Sequence, residues 1–219
     1  MKAAPEPKGV FINCPYDEDY NPFFEATIFC VIRCGFKARA AAEHVGSTQP
    51  RISRIRKIIQ ECPLGIHDIS RTELNPDNDL PRFNMPFELG LFLGAQSYGD
   101  RDQRKKEFII LDTDTRRYRE FISDIGGQDI SEHGGDPRQL VSKVRTFLNS
   151  HSGDAPLPGG SVIWEEYEVF KLRLPEICRR MRISPEDLEF RDLVYIVSDY
   201  VSEEPAPEDE DEEDEASED

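Results

Sequence analysis

Nothing in this 219-residue chain approaches the ~20 consecutive apolar residues of a membrane span. The opening Met1-Lys2-Ala3-Ala4-Pro5-Glu6-Pro7 also lacks the apolar core of a secretory signal, so a cytoplasmic protein with no membrane partner is expected. The five cysteines, Cys14, Cys30, Cys34, Cys62 and Cys178, are odd in number and contain no C-x-x-C pair. That excludes a disulfide framework or zinc ribbon and fits reduced, mostly buried thiols. Cys30 and Cys34 share a helix face and could approach a metal, but on an apolar helix they read as core thiols, and no metal site is expected. No Gly-x-Gly-x-x-Gly turn, P-loop lysine motif or Gly-x-Ser-x-Gly elbow is present, which argues against a dinucleotide fingerprint, phosphoryl transfer and serine hydrolysis. Cys14 with His67 is conceivable as a nucleophile and base, yet no motif supports the pair. There is no internal repeat.

Basic charge is scarce: 27 Lys and Arg stand against 44 Asp and Glu, for a formal charge of −17. Residues 203–219 hold 12 of those carboxylates and no basic residue, which leaves −5 for the rest. So dense a run of like charge buries too little apolar surface to fold, and it reads as a disordered, solvating or partner-binding tail. The overall acidity argues against nucleic acid as a partner, since backbone phosphates call for a basic stripe. Arg51, Arg54, Arg56 and Lys57 form one local basic cluster, which reads as a helix face.

What is present is an alternation of short apolar runs and helical periodicities. Residues 9–13 read as a strand, and Asn21-Pro22 as a cap and helix-starting proline before Phe24, Ile28, Val31 and Ile32, with Gly35 ending that helix. A second strand at 36–40, a helix at 52–62, a third strand at 64–70, a helix from Glu88 to Ser97 and a fourth strand at 107–112 follow. Gly90 and Gly94, one turn apart, are expected to permit close packing. A short helix at 116–122, a brief edge strand at 128–130 and a helix at 137–148 close the unit. The pattern defines an α/β protein with a flavodoxin-like, doubly wound parallel sheet of four or five strands and a C-terminal helical extension. The expected organisation is a flexible N-terminus at 1–8, the α/β domain at 9–150, a linker at 151–160, a helical extension at 161–202 with Pro185 opening a second helix, and the acidic tail at 203–219.

The stretch Phe83-Asn84-Met85-Pro86-Phe87-Glu88-Leu89-Gly90 puts one carboxylate at the start of an apolar helix. With Asn84 as N-cap and Pro86 near the first helical position, Glu88 is expected beside the free amides of the first turn, where the helix dipole favours its ionised form. In a strand–loop–helix unit that point lies at the carboxyl edge of the sheet, where open α/β folds bind ligands. The loop from Asn13 through Cys14, Tyr16, Asp17, Glu18 and Asp19 reaches the same edge. The third strand delivers His67, Asp68 and Ser70 there, and the second strand leads to Glu43 and His44. Asn13, Tyr16 and Asp17 are candidates for holding a sugar or base, against the alternative that they serve only as turn residues. His133 is either a loop residue reaching this pocket or an exposed turn.

These residues carry a resemblance. Val10-Phe11-Ile12-Asn13, the acidic aromatic-bearing loop after it, and Phe87-Glu88-Leu89-Gly90 after the third strand resemble the Toll/interleukin receptor (TIR) domains and the related nucleoside 2-deoxyribosyltransferases, over about residues 9–148. The Glu-Leu-Gly form is more similar to the deoxyribosyltransferases, while the Trp-Cys pair of many TIR domains is absent. The resemblance implies N-glycosidic bond chemistry on a nucleoside, nucleotide or NAD as substrate, with no other cofactor and with Glu88 as the catalytic carboxylate. Asp68 or His67 would then help the base leave, and Asn84 would orient Glu88 or the ribose hydroxyls. It further implies self-association as a homo-oligomer and a role in defence or signalling.

A second reading is a noncatalytic TIR-like module that senses a nucleotide or binds a protein partner through the helical extension or acidic tail. A third is a flavodoxin-like regulator with Asp17, Glu18 and Asp19 as an acidic pocket. The enzyme reading expects Glu88 exposed in a cleft and flanked by Tyr16 and Asp68.

Overall fold

Strand β1 (Gly9–Asn13) lies inside a five-stranded, all-parallel sheet with β2 (Lys37–Ala40), β3 (Leu64–Asp68), β4 (Glu107–Asp112) and β5 (Ile130–Glu132), in the order β2-β1-β3-β4-β5. The computed structural model describes residues 6–44, 48–74, 79–153 and 156–203. Residues 1–5 of the expected N-terminus and 204–219 of the acidic tail lie outside that range, as does the side chain of His44.

The apolar runs become strands because parallel strands covered by helices on both faces must be apolar on both. Every residue of β3 is buried, whereas the edge strand β5 is half-buried to exposed. Helices α1 (Asn21–Arg33) and α4 (Pro137–Asn149) cover one face, and α2 (Arg51–Glu61) and α3 (Asn84–Tyr98) the other. Alternation along β1 sends Val10 and Ile12 to the first face and Phe11 to the second, against Ile55, Ile58 and Phe92. In β3, Gly65 is required by a close approach: a Cβ there would sit 2.9 Å from the Phe92 ring. Gly35, at φ 78°, turns the chain from α1 into β2.

The C-terminal helices α5 (Gly160–Met181) and α6 (Phe190–Glu203) continue the core of the first face. Phe29 of α1 meets Tyr167, Phe170 and Tyr200 at ring-centroid distances of 5.6, 5.4 and 6.4 Å. Arg33 donates to both carboxylate oxygens of Glu166, at 2.6 and 2.9 Å. This second layer explains why residues 26–31 of α1 are all buried: the helix has neighbours on every side.

Several expected boundaries move. Pro185 opens only a 3-10 turn at Pro185–Asp187, and α6 starts at Phe190. Residues 116–122 form a 3-10 turn at Arg117–Glu120, and the edge strand falls at Ile130–Glu132, paired with β4. Asn21 is the first residue of α1 rather than its cap; the preceding 3-10 turn is capped by Asp17, which accepts from the Tyr20 N–H. Gly90 and Gly94 meet nothing within 4 Å of an added Cβ, so they serve no close packing among the described residues. Among the described residues, no helix is long and apolar enough to cross a membrane.

Candidate functional site

The order β2-β1-β3 means that the connections leaving β1 and β3 run to opposite sides, which opens a crevice at their carboxyl ends. Side chains at that edge divide between the two faces of the sheet. His67 follows Gly65 onto the α2/α3 face, while Asp68 follows Leu64 and Ile66 onto the α1 face.

On the α2/α3 face a cleft of about 420 Å³ is lined by Cys14, Pro15, Tyr16 and Asp17 from the loop after β1, by Arg51 from the start of α2, and by Arg82, Asn84, Met85 and Glu88. Glu88 is the fifth residue of α3, in its second turn, and the residue in cap position is Phe83, with no side-chain cap bond. The expectation of a first-turn carboxylate with Asn84 as cap is therefore corrected: Asn84 is itself helical and exposed at the cleft, and the free amides lie before Glu88. The expectation that Glu88 is exposed is corrected as well, since only 3% of its surface is open.

Burial raises the Glu88 carboxyl above its ordinary pKa, with Arg51 opposing the shift. The Arg51 guanidinium stands 3.7 Å from Oε1, while Oε2 is buried and has no hydrogen-bond partner among the described residues. Arg51 also lies over the Tyr16 ring, 5.9 Å from its centroid. Tyr16, 40% exposed overall, packs edge-on to Phe24 at 5.1 Å, and desolvation of its phenol on the cleft side, with the nearby Cys14 and Glu88, raises it so that it keeps its proton. Asp17 is held by Arg82 and by Arg71, the latter at 3.2 Å, which ties the loop after β1 to the chain leading into α3. Burial, followed by the charges of Asp68, Glu88 and Asp17, pushes the Cys14 thiol up, the opposite of what a nucleophile needs.

Asn13 and His67 lie beneath this floor and do not line the cleft. The Asn13 amide donates to the Met85 carbonyl at 2.9 Å and to His67 Nδ1 at 3.0 Å, so it pins the first turn of α3 and leaves the imidazole proton on Nε2. The imidazole is enclosed by Phe11, Phe92 and Phe108, all edge-on, and burial lowers its pKa to about 3. Nε2 has no hydrogen-bond partner among the described residues. His67 is thus a neutral core residue that does not line the cleft in which Cys14 lies.

Asp68 belongs to a separate, closed cluster. Its Oδ2 accepts from the Tyr20 hydroxyl at 2.5 Å and lies 3.2 Å from His133 Nε2, and its Oδ1 accepts from the Ser70 N–H at 2.8 Å. His133 is 1% exposed and accepts from the Gly135 N–H at Nδ1, so it neither turns outward nor reaches the cleft. Five of the residues picked from sequence thus separate from the two that lie deeper in the sheet: Glu88, Tyr16, Asp17, Asn84 and Cys14 meet in one cleft, while Asn13 and His67 form its foundation.

Sequence reasoning missed the cleft roles of Arg51 and Arg82. From sequence Arg51 reads as part of a basic helix face, and the signal for its cleft role is its position directly after Pro50, which marks a helix start at the same sheet edge. Among the described residues no group of three or more His, Cys, Asp or Glu could hold a metal.

The fold and site together define an open, flavodoxin-like parallel α/β protein with a polar cleft at its topological switch point. Comparisons with family models, with curated proteins and with solved structures find no match.

Proposed function

We propose that the cleft binds a nucleoside, nucleotide or NAD-type molecule and that the protein cleaves its N-glycosidic bond, with Glu88 facing the anomeric carbon. The observation that carries this reading is the orphaned Oε2 of a buried carboxyl at the floor of a nucleoside-sized cleft. As the bond from the sugar to the base breaks, its electron pair leaves with the base and positive charge grows on the ribose ring. An ionised Glu88 stabilises that charge or captures the anomeric carbon, after which water or a second base takes the sugar.

The acid that protonates the leaving base was expected at Asp68 or His67. Neither lines the cleft, and the donor we assign instead is Tyr16, which lines it with Glu88 and whose phenol keeps its proton. Asn84 at the cleft wall would receive hydroxyl groups, while Asp17, already held by Arg71 and Arg82, would fix the wall.

One observation favours a second reading, a noncatalytic nucleotide-binding module. Burial holds a proton on Glu88 to higher pH, and a neutral carboxyl pairs well with a base edge but stabilises a cation poorly. Incubating the protein and its Glu88→Gln variant with NAD, nucleotides and deoxynucleosides, and following released base by chromatography, separates the two. Release that is lost in the variant supports cleavage. Ligand binding without release, seen by calorimetry, supports the module.

A further inference from the structure

The outer face of α3 has no neighbour among the described residues and is built unlike an ordinary solvent face. In 15 residues the helix carries a single charged side chain, Glu88, and that one points inward. Phe87, Gly90, Gly94 and Tyr98 follow one another at helical spacing along the outer side. Phe87 is 55% exposed and Tyr98 89%, and Phe83, just before the helix, is 70% exposed. Glycine is the poorest helix former after proline, yet neither Gly90 nor Gly94 has a positive φ or a close neighbour to require it. Nothing among the described residues of one chain accounts for this stripe.

We propose that a second copy of the chain covers it, the two α3 helices crossing antiparallel about a twofold axis that passes between Gly90 and Gly94. With bare backbone at the crossing, the helices approach more closely than side chains elsewhere allow. In that register Phe87 of one copy falls opposite Ser97 and Tyr98 of the other, so the two aromatic pairs form symmetrically and the patch is complementary to itself. No charged side chain of α3 faces its twin. At about 200 Å² each, the three exposed aromatics alone bring roughly 400 Å², half of what one side of a standard interface buries. The patch begins between Arg82 and Asn84, both cleft residues, so the interface runs up to the cleft rim. This inference stands on surface chemistry alone and is independent of what the cleft binds.

Sedimentation velocity on the full chain over a wide concentration range is the test, with the mass expected to rise from monomer to dimer. Two variants locate the contact. Phe87→Glu with Tyr98→Glu, at exposed positions, is expected to weaken association at least 100-fold. Gly90→Ala with Gly94→Ala is expected to weaken it at least tenfold while the melting temperature of the monomer holds or rises, because added methyl groups meet open space in one chain and the facing helix in two. A monomer at every concentration overturns the proposal, and so does a dimer that both variants leave unchanged.

Discussion

Glu88 and Asp68 are both acidic, both nearly fully buried and both at the carboxyl edge of the same sheet, yet they do opposite things. Asp68 has the Tyr20 hydroxyl, the Ser70 N–H and His133 around it and does not line the cleft that Glu88 lines. Glu88 has one long contact to Arg51 and one oxygen with no partner beside a cleft. Burial alone therefore does not mark a site. What separates the two is whether the protein itself satisfies the group, and the unsatisfied carboxyl is the one left for a ligand.

The sharpest way to break this comparison is to neutralise each carboxylate in turn. Glu88→Gln is expected to lower base release by at least roughly 10²–10³-fold, the range for loss of a group that stabilises transition-state charge, while melting at or above the wild-type temperature. The stability half of that expectation follows from the raised pKa: the folded state holds the Glu88 proton above pH 4.5, so ionisation at neutral pH costs folding free energy that glutamine does not incur. Asp68→Asn is expected to do the reverse, costing about 3 kcal/mol of stability by denaturant unfolding, because the buried Tyr20 hydroxyl loses its carboxyl acceptor and an amide NH2 is put in its place beside His133. Equal stability losses in the two variants would erase the distinction between them.

Much of this arrangement could be read from residue order, and the part that could not has a common cause. The strands and helices announced themselves through periods of two and 3.6, and the parallel sheet followed from their alternation. That Asp68 and His67 face opposite sides is implied by the pleat itself, so bringing both to one pocket overlooked a signal already present. By contrast, Tyr20 and His133 reach Asp68 from 48 and 65 residues away, and no local pattern encodes such a meeting. Glu88 was found by its incongruity, a charge in an apolar helix, but its burial was not. The residues that cover it, Tyr16 and Arg51, come from loops and helices whose relative placement only the packed sheet fixes. The C-terminal helices posed the same problem: their apolar spacing was visible, but their partner, the outer side of α1, was hidden in a helix that is apolar all round.

A further contrast lies between the cleft and its foundation. His67 has a folded pKa of about 3 against an ordinary 6.5, so the unfolded chain binds a proton that the folded one refuses throughout that interval. Stability contributed by keeping His67 neutral is complete above pH 6.5 and is lost as pH falls toward 3, by about 2 kcal/mol between pH 7 and pH 5. His67→Gln retains an acceptor for the Asn13 amide and removes the titration. The difference between wild type and variant in urea-unfolding free energy should thus shrink by about that amount from pH 7 to pH 5. A constant difference would place the acid sensitivity elsewhere.

The smallest expected effect tests how Glu88 is held ionised at all. Burial raises its pKa and Arg51, 51% exposed at the start of α2, pulls it back. Because the guanidinium is half in water and 3.7 Å away, its hold is weak, worth less than about 1 kcal/mol after solvent screening. Arg51→Met, which keeps the length and loses the charge, should therefore leave the fold intact and move the acid limb of the pH–rate profile for base release upward by less than one pH unit. At pH well above that limb its rate should approach that of the wild type, since Glu88 is then ionised in both. A rate deficit that persists at high pH would show instead that Arg51 contacts the substrate directly, and would move it from a neighbour of the carboxylate to a ligand-binding group in its own right.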